Sequence, residues 1–555
     1  MEEKLDRREF LYKTLVGGVA ALTAVAAAAN TGVKPALAKA ADSIAPIEAI
    51  ADFPHKVDEK YERFPVSKNY YHSVFNPENN KRPFNEQFAK ADVSDEAGRT
   101  DTGKDLPLIS GEEILKKNSP VTLCENGCIF FSHHIGVEQP LRRDEPGWTL
   151  LEEALNRAGW AVEDNYSGFT APGSGPGGII AHYPVDPVTN EAGDEPVPVA
   201  GIYNWDSGTA DEIREKGELW EFESAEQASL IVKKAARFLG ADLAGIAPYD
   251  DRWTFADWAR PNSVPYKMPN GKVKMVPFNL EKFLKDREAE TYGLSIFEAD
   301  WEKYAGFTPK SVIAIAIEMD YEGFKTAPSL LQSAAAGKVY SNMGEVAYKV
   351  ATFLRWLGYH AVPSGNDTGL SEPIAVQAGL GEIGRNGLLI TQEYGPRVRL
   401  CKVFTDLELA PDKPRKFGVV EFCRLCMKCA DACPSQAIDF AKDMHMVQPE
   451  ECNDSMNPYT EKWTVDPYRC NAFAAYNGGD CGNCIAVCSW NKIESWNHDV
   501  VRIATKIPLI QDVARKFDEW FGYGGPVVPE ERIESGYVTR MVQEFWADTE
   551  PTPAR

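Results

Sequence analysis

The alternation of apolar and polar residues is most regular from about residue 224 onward. Ser224 and Gln227 form a capping box, and Gly240 marks the end of the helix that this box begins. The predicted buried face of this helix carries apolar residues three or four positions apart: Ala228, Ile231, Ala235 and Phe238. The apolar run 242–247 then predicts a strand, so this part of the chain begins with a helix followed by a strand.

A second unit of the same kind follows. The continuous apolar run 312–317 predicts a buried strand, and Gly358 ends a later helix. One face of that helix carries evenly spaced apolar residues: Val346, Val350, Phe353, Leu354 and Leu357. Further strands are predicted over 388–390 and 398–404. Residues 253–307 are polar and irregular, which indicates an insertion within one α+β domain.

Residues 41–223 are rich in Pro, Gly, Asn and Asp, which predicts an irregular unit of loops and short elements. Within it, 173–178 has the spacing G-x-G-x-x-G, but no apolar strand precedes it and Pro176 interrupts it, so a loop is favoured over a dinucleotide site. Cys124, Cys128, His133 and His134 could in principle bind a zinc ion. The two histidines are adjacent and so point in different directions, and a structural role is therefore favoured over a zinc site.

The N-terminus has the features of a cleaved export signal. Arg7-Arg8-Glu9-Phe10-Leu11 precedes an uncharged stretch over 15–29, and Ala36-Leu37-Ala38 supplies the A-x-A pattern of a cleavage site. The stretch is shorter than the ~20 apolar residues of a membrane span. Residues 1–40 are therefore predicted to be a twin-arginine signal peptide, a route that exports proteins already folded around their metal centres.

Composition narrows the class of protein. The chain has 555 residues, of which 44% are hydrophobic and 25% charged, values that are typical of a globular protein with more than one domain. Its net charge of −23 is the wrong sign for binding nucleic-acid phosphates. Twelve cysteines are too few for a disulfide scaffold, and most lie between Cys423 and Cys488, which indicates a metal site.

The cysteine spacing is specific. Cys423-x2-Cys426-x2-Cys429-x3-Cys433-Pro434 is the bacterial ferredoxin run, in which the fourth cysteine binds the other cluster. The second run is stretched and consists of Cys470, ten residues, and then Cys481-x2-Cys484-x3-Cys488. The crossing rule assigns one [4Fe–4S] cluster to Cys423, Cys426, Cys429 and Cys488, and the other to Cys433, Cys470, Cys481 and Cys484. Paired zinc sites and disulfides suit this spacing poorly.

The leftover cysteines have packing as their simplest role. They are Cys124, Cys128, Cys401 and Cys452. No flavin or nicotinamide fingerprint is present, and the run from Asp443 to Gln448 lacks the glycine of a D-x-H-x-x-G cobalamin motif. The residues alone therefore indicate an exported iron–sulfur electron carrier or reductase.

The combination of leader, long middle and two cysteine runs resembles the catalytic subunits of the respiratory reductive dehalogenases. The resemblance spans nearly the whole chain. Five blocks carry it within the middle: residues 340–344, 357–361, 365–371, 378–387 and 395–400. The stretched second cysteine run also matches the variable form that this family uses.

The resemblance implies a fold and cofactors. The expected α+β fold is a nitroreductase-like core that binds a corrinoid (cobalamin, base-off), followed by a bacterial ferredoxin-like domain with two [4Fe–4S] clusters. The corresponding boundaries are 1–40 for the signal, 41–223 for the N-terminal unit, 224–415 for the core with its insertion at about 253–307, 416–490 for the clusters and 491–555 for a C-terminal extension.

The resemblance also implies catalytic residues. Tyr340, expected at the start of a helix, would donate the proton that replaces the halogen. Arg397 and Arg399 alternate on one strand, so spacing cannot decide which of them stabilises the phenolate, whereas the family motif favours Arg399. Asn366 would be a polar contact beside the substrate or halide. Without the resemblance these three would be taken for a helix aromatic, a surface ion pair and a turn residue.

The implied function is reductive dehalogenation of a small organohalide as the terminal step of anaerobic respiration. The implied setting is the outer face of the cytoplasmic membrane, with a small integral-membrane anchor subunit, a respiratory electron donor, no nucleic acid, and a homodimer as one option. Two alternatives stay open. An epoxyqueuosine-reductase-like enzyme is disfavoured by the negative charge and the export signal, and a pure electron-transfer subunit is disfavoured by the long middle.

Overall fold

The structure is a computed structural model of the full chain. It describes residues 47–65, 145–166, 179–182, 197–200, 208–261, 264–267, 273–276, 294–366, 368–453, 456–467, 469–470, 474, 477, 479–491, 526–527, 531–532 and 535–548. The predicted signal peptide and the glycine run 173–178 lie outside the described residues, as does most of 491–555. The same holds for the four residues weighed as a zinc site and predicted to be structural, Cys124, Cys128, His133 and His134.

Strands and helices are labelled in chain order. The strands are β1 Glu48–Ala49, β2 Ile179–His182, β3 Val197–Ala200, β4 Leu243–Pro248, β5 Asp257–Pro261, β6 Val264–Lys267, β7 Val273–Val276, β8 Leu294–Glu298, β9 Ser311–Glu318, β10 Ala361–Ser364, β11 Glu382–Ile383, β12 Leu389–Ile390, β13 Val398–Thr405, β14 Arg415–Lys416, β15 His445–Met446 and β16 Glu461–Lys462. The helices are α1 Leu150–Tyr166, α2 Gly208–Glu215, α3 Ala225–Phe238, α4 Trp301–Ala305, α5 Tyr321–Lys325, α6 Leu330–Trp356, α7 Ser371–Gln377, α8 Val419–Cys426, α9 Lys428–Asp431, α10 Asn483–Ala486 and α11 Tyr537–Ala547.

A four-stranded sheet lies at the centre of the core. Its order is β10-β13-β9-β4, and each neighbouring pair is antiparallel. The side chains of β9 are buried almost throughout, because apolar clusters cover both of its faces. The strands predicted over 242–247, 312–317 and 398–404 are confirmed as β4, β9 and β13.

The longest helix, α6, covers one face of this sheet. Ser329 caps its start, and Gly358, with a φ of +87°, follows its end in the left-handed conformation that glycine tolerates. Helix α1 approaches α6 very closely, since a Cβ added at Gly159 would lie 2.6 Å from the Ala334 carbonyl oxygen. This close crossing brings α1, from the unit predicted to be irregular, against the sheet core.

The face predicted for α3 is confirmed at Ala228 but wrong at Ile231 and Phe238. Ile231 is 38% exposed and Phe238 is 85% exposed, whereas the helix buries Ala228, Val232 and Ala236 against the core. Both sets of residues recur at helical spacing, so periodicity does not distinguish them. The helix start at Ser224 is confirmed, because its Oγ accepts a hydrogen bond from the Gln227 N–H.

The described parts of 253–307 have more regular structure than their polar sequence predicts. Strand β5 pairs with β8, and β6 pairs with β7. Trp253, Phe255 and Trp258 are buried in the apolar cluster that also contains residues of β9 and β13. The region therefore builds one wall of the core. The boundaries of the proposed insertion and domains remain predictions.

The cysteine-rich region and the C-terminus pack against the core. Short helices α8, α9 and α10 carry four of the eight cysteines of the two runs. Helix α11 packs on the start of α6, and the buried Arg532 donates hydrogen bonds to the carbonyl oxygens of Lys325 and Ala327. Across the described ranges, no helix is both long and apolar enough to cross a membrane.

Candidate active site

A cavity of about 600 Å³ lies between the sheet core and the cysteine-rich region. Its walls come from α6, the loop that follows β10, the strands β12 and β13, and the chain around the second cysteine run. Apolar side chains make up much of the surface, and polar and charged side chains are interspersed among them. Such a lining is typical of sites for organic ligands and cofactors.

The three predicted catalytic residues meet at this cavity. Asn366 Nδ2 donates a hydrogen bond to the Tyr340 hydroxyl oxygen at 3.2 Å. The Arg399 guanidinium lies 4.7 Å from the centre of the Tyr340 ring, and its Nη2 is 3.6 Å from Asp480 Oδ2. Residues far apart in sequence thus place an amide donor and a cation beside one phenol. Their catalytic roles remain predictions.

The sequence predicted Tyr340 at the start of a helix, and this prediction is wrong. Helix α6 begins at Leu330, so Tyr340 lies well inside it. The apolar stripe from Val346 onward marked only the second half of the helix, because its first half is buried on nearly all sides and therefore shows little periodicity. A central position fixes the backbone of Tyr340 more firmly than a helix end would.

Trp160 is a further residue of the site that the sequence did not indicate. Its ring stacks on the Tyr340 ring, with centroids 4.9 Å apart and an angle of 24° between the planes. Gly337, one turn before Tyr340, makes room for it, since a Cβ there would lie 2.4 Å from the indole. Trp160 belongs to the unit that was predicted to be irregular, so only the fold reveals its place.

Arg397 and Arg399 have different surroundings. Arg397 lies one residue before β13, so strand alternation does not relate it to Arg399. It is fully buried, donates to Glu318 Oε1 at 2.6 Å, and also bonds the Met319 carbonyl oxygen and Asn491. Arg399, and not Arg397, is therefore the arginine beside Tyr340.

Electrostatics keep Arg399 charged. Burial disfavours the charged guanidinium, but attraction to Tyr340 and Asp480 outweighs it and raises the pKa of Arg399. Burial also raises the pKa of the Glu372 carboxyl, although attraction to Lys402 and Arg399 opposes this shift. Glu372 lines the same cavity. The site therefore combines a buried cation with a carboxyl whose pKa is raised above its usual value.

The cysteines fall into two groups in space. Burial, followed by repulsion from Cys426 and Cys488, raises the pKa of Cys423, and the pKa of Cys429 is raised by burial and by the same group. Around the second run, burial and repulsion from three neighbouring thiols raise the pKa of Cys481: Cys484, Cys433 and Cys470. Mutual proximity of four buried thiols suits an iron–sulfur cluster, whose iron holds them as thiolates.

The two groups differ in their distance from the cavity. The cavity wall includes Cys433, Cys470, Cys481 and Cys484, whereas Cys423, Cys426, Cys429 and Cys488 lie outside it. The group around Cys481 is therefore the one that shares a cavity with Tyr340, Asn366 and Arg399. Apart from these cysteine groups, the described residues hold no set of three His, Cys, Asp or Glu side chains arranged to bind a single metal ion.

Two family models match the chain. One describes a reductive dehalogenase subunit and matches residues 301–409, and the other describes a 4Fe-4S double cluster binding domain and matches residues 422–491. A tetrachloroethene reductive dehalogenase of Desulfitobacterium hafniense is 57% identical over 99% of both chains. The chain belongs to the reductive dehalogenase family.

More distant relatives have been identified as well. A tetrachloroethene reductive dehalogenase of Sulfurospirillum multivorans is 33% identical and is matched over 67% of this chain and 68% of its own. A solved reductive dehalogenase structure, described as suggesting a mechanism for B12-dependent dehalogenation, is 16% identical with a TM-score of 0.48. The match covers 86% of this chain and 49% of that one.

Membership of the family confirms the predicted class of enzyme, the mixed fold of the core and the double-cluster domain. The chain is an oxidoreductase of a family that acts on carbon–halogen bonds, with a mixed helix and sheet core followed by a double-cluster domain. The assignment of individual cysteines to each cluster remains a prediction. Of the leftover cysteines, Cys401 is buried, which raises its pKa to about 12, and Cys452 is partly buried.

Proposed function

We propose that this reductive dehalogenase replaces a halogen of a small chlorinated alkene by hydrogen. One observation carries the proposal: the trio of Tyr340, Asn366 and Arg399 and the thiol group around Cys481 line the same cavity. A source of electrons and a source of protons thus face one cavity. Tetrachloroethene is the proposed substrate class, because the curated relatives are named for it.

The polar groups of the cavity wall fit a corrinoid. Asn483 is buried with neither side-chain polar atom hydrogen-bonded within the described residues, and the same holds for Asn386 Nδ2. Both residues line the cavity and would help to hold the cofactor. When bound, the corrinoid supplies a reduced cobalt that cleaves the carbon–halogen bond.

The protein supplies the proton. Overall, two electrons and one proton replace the halogen, which leaves as halide. Tyr340 donates the proton from its hydroxyl to the carbon, because a carbanion-like centre is basic enough to take it from a phenol. Asn366 then donates a hydrogen bond to the phenolate oxygen and Arg399 provides a nearby positive charge, and both favour the charged form.

The cavity wall also suits a small apolar substrate. Phe53, Trp160, Trp253 and Phe255 line it, and aromatic rings of this kind exclude water and offer polarisable surface. Asp480 is the ion-pair partner of Arg399 and limits how far its guanidinium can move toward a bound ligand.

An assay of the purified protein tests this proposal. With a low-potential reductant, the protein should release chloride from tetrachloroethene and yield the product with one fewer chlorine, and it should contain cobalt and about eight irons. Activity on chlorinated phenols but not on chloroethenes would overturn the substrate class. Iron without cobalt, and no dehalogenation, would favour an electron-transfer subunit instead.

We further propose export by the twin-arginine route, with the protein at the outer face of the membrane beside a small integral-membrane anchor and a respiratory electron donor. Arg7→Lys combined with Arg8→Lys should leave the cofactor-loaded precursor inside the cell, because the arginine pair is the recognised feature. Fractionation and N-terminal sequencing measure this. Export of the double variant with unchanged efficiency would refute the signal. A homodimer remains an option that native mass measurement would test.

A further inference from the structure

A loop between β10 and α7 carries Asn366. Lys402, in the neighbouring strand β13, is paired in register with Ser364, the last residue of β10. This register places the lysine side chain beside the point where the loop leaves the sheet. Lys402 is 1% exposed, and its Nζ donates hydrogen bonds to the Gly365 carbonyl oxygen and, at 3.1 Å, to Ser371 Oγ. One ammonium group thus joins both ends of the loop.

The middle of the loop is held from the opposite direction, by the chain that follows β4. Phe255 N–H donates to the Thr368 carbonyl oxygen at 2.9 Å, and Trp258 Nε1 donates to the same oxygen at 3.3 Å. Leu370 N–H donates to the Trp253 carbonyl oxygen at 2.8 Å. The loop is therefore fixed at its middle by these contacts and at its ends by Lys402.

Burial of an ammonium group has a free-energy cost that an apolar side chain at the same position would avoid. The contacts of Lys402 indicate what this group does. The carbonyl of Gly365 immediately precedes Asn366, so fixing that carbonyl fixes the backbone from which the Asn366 amide reaches Tyr340. Lys402 itself is not among the residues that line the cavity.

We propose that Lys402 is a positioning residue that holds the loop so that Asn366 donates its hydrogen bond to the Tyr340 hydroxyl oxygen. The inference rests on the proposed role of Tyr340 as proton donor. Lys402 acts through Asn366 and does not touch the substrate. Its removal should therefore have the same kinetic effect as removal of the Asn366 amide, and both removals together should have no larger effect than either one.

Lys402→Met tests this because it keeps a long unbranched side chain and removes the charge and donors. We expect kcat to fall roughly 10-fold with KM little changed, as expected for loss of a hydrogen bond to a charged group. Asn366→Ala should behave alike, and the double variant should be no slower. Loss of this bond disfavours the phenolate, so the alkaline limb of the kcat profile should move to higher pH in each variant. Independent, multiplying effects would overturn the proposal.

Arg355→Met is the matched control. Arg355 is also buried and donates to a backbone carbonyl, that of Ala361, which lies at the other end of β10 from the loop. Arg355→Met should lower thermal stability without moving the pH profile of kcat, and an equal shift of that profile would count against the positioning role of Lys402.

If Lys402→Met does not accumulate with its cofactors bound, Ser371→Ala removes one of the two hydrogen-bond acceptors of Lys402 and should cause a smaller kcat loss of about two- to five-fold. Unchanged kcat in Ser371→Ala would then overturn the proposal.

A crystal structure of the Lys402→Met holoenzyme separates this inference from the proposed function. Displacement of Asn366 from Tyr340, to beyond hydrogen-bond distance, is expected whether or not the protein dehalogenates chloroethenes. A retained contact at about 3.2 Å would refute the positioning role even in a fully active enzyme. Conversely, a displaced loop in a protein that dehalogenates nothing would leave the positioning role intact and refute the function.

Discussion

Tyr340→Phe is expected to lower the rate of dehalogenation by about 10²- to 10⁴-fold, the usual effect of removing a general acid. The phenylalanine ring keeps the stacking on Trp160 and the contact with the Arg399 guanidinium, so folding and cofactor content should not change. Single-turnover measurement of chloride release, with cobalt and iron analysis of the same sample, separates the chemical step from assembly.

Tyr348→Phe is the matched control for this variant. Tyr348 lies two turns further along the same helix and is 42% exposed, so its hydroxyl can be removed without touching the cavity. It should dehalogenate at the wild-type rate. If Tyr340→Phe, with its cofactors bound, also retains nearly that rate, another group or a water molecule supplies the proton and the assignment is wrong.

The Arg399→Leu variant should also be slow, because the phenolate would lose its neighbouring cation. Arg397→Leu cannot serve as its control, although the spacing of the two arginines suggested it. Arg397 is fully buried and pairs with the partly buried Glu318, so its removal leaves that carboxylate without its cation and the surrounding core without the guanidinium hydrogen bonds. Its expected effect is therefore loss of stability, which thermal unfolding would record.

Sequence reasoning succeeded where the signal is local. The strand β9 is a continuous apolar run, and the cysteine runs have a spacing that few other structures use, so short windows of sequence were sufficient. The family blocks carried Tyr340, Asn366 and Arg399, which the fold brings to one cavity wall. Their chemistry could be assigned because the blocks were recognised, since each residue alone has an ordinary structural explanation.

It failed where the answer depends on contacts between distant segments. Trp160 reaches Tyr340 only because Gly159 and Gly337 let two helices approach closely, and no pattern within either segment reveals that approach. Lys402 lies within a strand that reads as apolar, and its partners are set by the register with β10. The face of α3 was partly wrong for a related reason, since two apolar stripes fit one period and only packing selects between them.

The strongest test of the electron route is Cys433→Ala. Cys433 belongs to the first run in sequence, but its thiol lies with those of Cys470, Cys481 and Cys484 at the cavity wall. The Ala437 N–H contacts its Sγ at 3.2 Å, a contact that would stabilise a thiolate ligand there. We expect the variant to lose the cluster beside the cavity while keeping the other one.

Because the lost cluster would be the one nearest the site, dehalogenation should fall to background even though the remaining cluster can still be reduced. Iron content should drop from about eight toward about four per chain, and electron paramagnetic resonance of the reduced protein should lose the coupling between two clusters. Cys452→Ala is the control, since Cys452 lies in neither group and should leave both clusters intact. Damage confined to the cluster of Cys423, Cys426 and Cys429 would show that Cys433 binds the cluster of its own run. The proposed exchange of cysteines between the two runs, which links the two clusters into a single electron path to the cavity, would then be wrong.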